Sequence, residues 1–159
     1  MPSTAQTFFS LMVEPTVADF IQFPFDIRRG LLAAMVLNHM ADHMALEGCT
    51  STDRSHMDSL LKTTRERMLS KCPDFQFIRD VADATKHAKL SVSKRVEAPR
   101  EVSSSNQISA TPGLFQAPFG EGVFAEAVIV FAVLKDGSSK PLLPAVRSVL
   151  EAWKTELLQ

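Results

Sequence analysis

From Ile27 to Glu47 the chain reads as one long helix, and its middle, Leu31 to Leu37, is apolar on every side of the helical wheel. Such a helix has no polar face to turn to water, so other elements must pack around it. Asp26 supplies an N-cap and Gly48 a C-terminal stop, which fixes the length of the segment. This segment is therefore expected at the centre of a helical bundle, and the rest of the sequence can be read as the layers around it.

On the N-terminal side, Ser3 to Val13 predicts a short helix capped by Ser3 or Thr4. Pro15 suits the first turn of a second helix through Phe20, which Pro24 ends. After Gly48, Ser51 or Thr52 is placed to cap a helix to Lys71, with Met57, Leu60, Leu61, Thr64 and Met68 at helical spacing. Pro73 and Asp74 open another to about Ala88, with Phe75, Ile78, Val81, Ala82 and Thr85 inward. Near the end, Pro141 or Pro144 begins a helix whose apolar stripe is Leu142, Leu143, Val146, Val149, Leu150, Trp153 and Leu157.

Between these helices the period changes from helical to two. Leu90, Val92 and Val96 alternate with polar residues, and Val123 to Lys135 is dense in Val, Ile, Phe and Ala. These segments are expected to pair as a hairpin, with the Ser-, Gly- and Pro-rich stretch from Pro99 to Gly122 as its long, mobile loop and Asp136-Gly137 as the following turn. The sequence thus predicts a mainly α fold: a five- or six-helix bundle with a two-stranded antiparallel β-hairpin inserted before the last helix. It is one domain over 1–159, with 90–135 as the insertion.

Composition narrows the class further. The chain is 45% hydrophobic and 22% charged with a net charge of −1, an ordinary globular balance. No apolar run approaches the roughly 20 residues a spanning helix requires. The N-terminus lacks the basic and small-residue pattern of a leader. Two cysteines, Cys49 and Cys72, without CxxC spacing fit reduced thiols, so a soluble, cytoplasmic protein is expected. Residues 53–100 hold 11 Lys and Arg against 7 Asp and Glu, a modestly basic middle that could face an anion.

Two sets of residues could carry chemistry. His39 and His43 share one helix face at i, i+4, as do Asp83 and His87 on a second helix. If those faces meet, three imidazoles and a carboxylate suit zinc or another divalent metal. Met40 stands where an HExxH protease would carry Glu, so that class is excluded. No other cofactor is called for, since phosphate-cradling glycine motifs are missing. The alternative is plain: His39 and His43 are partly buried and hydrogen-bonded, and Asp83 and His87 pair locally.

The second set lies in RDVADATKHAKL, Arg79 to Leu90, where Arg79, Asp80, Asp83, Lys86 and His87 are expected on the outer faces of an apolar helix. An Arg with a His can hold a phosphate and move a proton at a ribose 2′-hydroxyl, the chemistry of a metal-independent ribonuclease. On this segment and its bundle the chain resembles the HEPN superfamily, small helical bundles that are often dimeric and include many ribonucleases. The resemblance implies Arg79 and His87 as the catalytic pair. Seven residues separate them, longer than the family's usual spacing. The segment also looks like a Lys-His-containing helix of uncharacterised bacterial proteins that join a bundle to a β-hairpin.

Three functions follow as expectations. The first is a HEPN-like interaction module, non-catalytic or weakly catalytic, that forms a homo-oligomer or binds a protein partner. The second is a ribonuclease acting on RNA through Arg79 and His87. The third is a metal-binding bundle using His39, His43, Asp83 and His87. A membrane partner is not expected.

Overall fold

The structure, a computed structural model, describes residues 4–87, 90, 100–111 and 129–158. Its first helix, α1, runs continuously over residues 5–22, where two helices were expected. It is α-helical at Ala5–Phe8, π-helical at Phe9–Val13 and α-helical again at Glu14–Gln22. The reason lies at Pro15, which has no N–H to give to an α-helical turn. Just before it the Glu14 N–H reaches back five residues to the Phe9 carbonyl, and this wider turn lets the helix pass the proline without a break. Thr4 caps the start by accepting from the Thr7 N–H.

The long helix expected at the centre is α2, Ile27–Leu46, with Asp26 accepting from the Arg29 N–H as its cap. Gly48 follows with φ +71°, the left-handed conformation a helix stop requires. Helix α3, Arg54–Lys71, is capped by Asp53 rather than by Ser51 or Thr52. It buries Thr64 and Met68, while Met57, Leu60 and Leu61 are half-buried. Helix α4, Asp74–His87, buries Phe75, Ile78, Val81 and Ala82 as expected, and also Phe77, Asp80 and Ala84. The last helix, α5, is Leu142–Leu157 and turns the predicted stripe inward, with Leu142, Val146, Val149, Leu150 and Trp153 buried.

A three-stranded antiparallel sheet precedes α5, in the order β1 (Ile108–Ala110), β2 (Val130–Val133), β3 (Ser139–Pro141). Ser109 lies opposite Phe131, and Ala132 opposite Lys140. Both edges of β2 are therefore occupied by strands other than the expected one. Leu90 is not in a strand, although its N–H donates to the Ser103 carbonyl, and residues 91–99 lie outside the described residues. Part of the expected loop, Ile108–Ala110, is strand, whereas residues 112–128, which include the start of the expected second strand at Val123, lie outside the described residues. Along β2, Val130 and Ala132 are buried while Val133 faces solvent, the alternation of a sheet with one packed face.

The five helices and the sheet share one core, in which Val17, Phe20, Leu37, Met40, Phe75, Ile78, Val146 and Trp153 have no exposed surface. Trp153 ties α5 to α2 and α4. Its Nε1–H donates to the Leu37 carbonyl at 3.0 Å, and its ring meets Phe75 edge-on with centroids 5.6 Å apart. Among the described residues no helix is long and apolar enough to cross a membrane.

Candidate functional site

The α4 segment that the sequence singled out is divided between burial and exposure. Asp80, expected on the outside, is fully buried. It accepts from Gln76 Nε2 at 2.7 Å and from the Glu101 N–H at 2.9 Å, so its carboxylate fastens the returning chain to α4. A buried carboxylate persists only when hydrogen bonds replace its water, and these supply that replacement. Asp83, half-buried, faces Arg100 with Nη2 3.7 Å from Oδ2. The signal that was missed is the covering segment 100–103, which reads as loop and gives no warning that it closes over this helix.

Arg79 is half-buried and His87 exposed at the helix end. Eight residues apart on one α-helix, their Cα atoms are separated by about 12 Å along the axis and about 80° around it. One nucleotide would have to span that offset to use both side chains.

On α2, His39 is exposed, with Nδ1 3.6 Å from Asp42 Oδ2. His43 is half-buried and lies flat on the Phe8 ring, centroids 3.8 Å apart and planes 12° from parallel. Asp42 also accepts from Arg65 Nη2 at 2.9 Å, which ties α2 to α3. Among the described residues no group of three or more His, Cys, Asp and Glu is placed to hold a metal ion. His39, His43, Asp83 and His87 are thus not assembled as one ligand set. The physical reason is that α2 buries Ala33, Ala34, Leu37, Met40 and Ala41 and α4 buries Phe75, Ile78 and Val81, which leaves His39 and His87 exposed, while His43 packs on Phe8 of α1.

A shallow, open pocket of about 300 Å³ lies where α1 begins and α2 ends, lined by Thr4, Asp42, His43, Leu46 and Glu47. Two of its polar groups already serve the start of α1. Thr4 is the cap of α1, and Glu47 Oε1 accepts from the Ala5 N–H at 3.3 Å, a carboxylate on the positive end of a helix. Of these residues the sequence offered only His43 as a candidate for chemistry. Elsewhere, Glu156 of α5 is buried between Arg67 and Lys71 of α3. Cys49 and Cys72 are free thiols, the second buried with Sγ 3.4 Å from Ser148 Oγ.

These observations define a mainly α bundle of five helices with a small antiparallel sheet before the last. In comparisons with known proteins, no family model matches the chain and neither a curated protein nor a solved structure shows significant similarity to it.

Proposed function

We propose that this chain is a helical interaction module of HEPN-like build without catalytic activity of its own. The observation that carries this reading is the use made of the α4 polar residues. Asp80 and Asp83 are committed to holding residues 100 and 101, and the Arg79 and His87 positions diverge along the helix. A site for acid–base work at a phosphate needs its acid and its anion holder around one substrate atom. The test is incubation of the purified chain with single-stranded and structured RNA. No cleavage is expected, and His87→Ala is expected to change nothing but the surface. Cleavage that His87→Ala abolishes without lowering the melting temperature would overturn the reading.

That outcome would establish the second reading, a ribonuclease using Arg79 and His87. Its support is the exposure of His87 at the end of a helix, where an incoming strand can reach the imidazole. For a divalent-metal protein the donor geometry offers no comparable support.

A further inference from the structure

Helix α3 belongs to the bundle on different terms from its neighbours. Of its 18 residues it buries only Thr64 and Met68, whereas α4 buries seven of 14 and α5 seven of 16. Among the described residues Met68 is the one α3 side chain buried in the shared core, with Leu69 packed at its edge. Nothing over residues 54–63 is buried. Apolar stabilisation follows the area removed from water, so little of it holds this helix.

Charge fastens it instead. Arg65 reaches Asp42 of α2 at 2.9 Å, and Arg67 and Lys71 flank Glu156 of α5. All three cations keep part of their side chains in water, where such attractions are modest and weaken with salt. The seam with α2 is also imperfect. Asn38, one turn before Asp42, is buried, and among the described residues neither its Oδ1 nor the buried Nε of Arg65 has a hydrogen-bond partner. Both atoms, and the carboxylate of Glu156, would gain water if α3 moved away, which offsets part of what the seam loses. The chain on either side is anchored without α3: Glu47 Oε1 accepts from the Ala5 N–H of α1, and Cys72 is buried with Sγ 3.4 Å from Ser148 Oγ of α5.

We infer that α3 is a detachable element, held mainly by its ion pairs, which leaves the bundle as a unit between Glu47 and Cys72 while α1, α2, α4 and α5 stay packed. Its departure uncovers the carboxylates of Asp42 and Glu156 and the slot filled by Met68, a surface that the docked helix closes. The inference goes beyond the interaction-module reading and does not depend on it.

Native-state hydrogen exchange of the full chain, followed by NMR where reclosing outruns exchange, tests this. The amides of residues 60–70 are expected to exchange as one group, roughly tenfold or more faster than the slowest amides of α2 and α4. Their rates should rise less steeply with urea than those of the core, because undocking exposes less surface than unfolding. In about 1 M sodium chloride, where screening acts over roughly 3 Å, their exchange is expected to quicken. Val17→Ala, at a fully buried site on α1, is expected to speed exchange in α2 and α4 but not in residues 60–70, since Val17 stays packed when α3 alone opens. Should that variant fail to fold, the urea slopes of the wild type decide. Amides of α3 that share the rate and slope of the core overturn the inference. So do rates that grade inward from the helix ends, as fraying gives, or that are indifferent to salt.

Discussion

At Gly30 three helices come together around a residue with no side chain. A Cβ there would lie 3.0 Å from Leu142 Cδ2 and 3.0 Å from Phe20 Cε2, so α1 and α5 can close over α2 only because it is absent. Glycine within a helix costs about 1 kcal/mol relative to alanine, and this close approach is what offsets it. Gly30→Val is expected to destabilise the fold by roughly 1–3 kcal/mol through overpacking, as measured by urea unfolding. Glu156 presents the opposite case, a buried charge with two partners. Removing one member of a buried pair commonly costs about 3–5 kcal/mol because the other is stranded away from water. Arg67 and Lys71, however, keep 47% and 40% of their side-chain surfaces exposed and can rehydrate. Glu156→Gln is therefore expected to cost only about 1 kcal/mol, a small downward shift in thermal midpoint.

At the level of single elements, the β2–β3 turn depends on Asp136. Its carboxylate accepts from the Ser138 hydroxyl at 2.6 Å and the Ser138 N–H at 2.9 Å, and these bonds hold its pKa below the ordinary aspartate value. A lowered folded-state pKa means the contribution is complete above the ordinary value and is lost as the pH falls through the lowered one. The Ser138 amide resonance is expected to titrate in that acidic window and to lose this dependence in Asp136→Asn. The elements themselves were legible to differing degrees. Asp26, Gly48, Pro73 and the apolar stripe of α5 marked helix ends and faces because capping and periodicity are local. Strand Ile108–Ala110 was not legible, since Ile-Ser-Ala becomes a strand only by pairing with Val130–Val133 far along the chain. Ser104 and Gln107 did carry a local sign, the Ser-x-x-Gln capping box, which the structure forms around residues 105–107. Of the candidate site residues, the positions of His39, His43, Asp83 and His87 on their helices were readable. Whether the helices turned them toward one another depended on which apolar faces met, and that is a property of packing.

For the whole molecule, the protein contains its own reporter of unfolding. Trp153 is its single tryptophan and there is no tyrosine, so near-ultraviolet fluorescence excited at the indole band comes from one ring, sealed between α2 and α5 and bonded to the Leu37 carbonyl. Emission should be blue while the last helix is seated and move to the red when it lifts from the central one. The departure of α5 can thus be followed optically and separately from the loss of helix seen in the far ultraviolet, with no label attached.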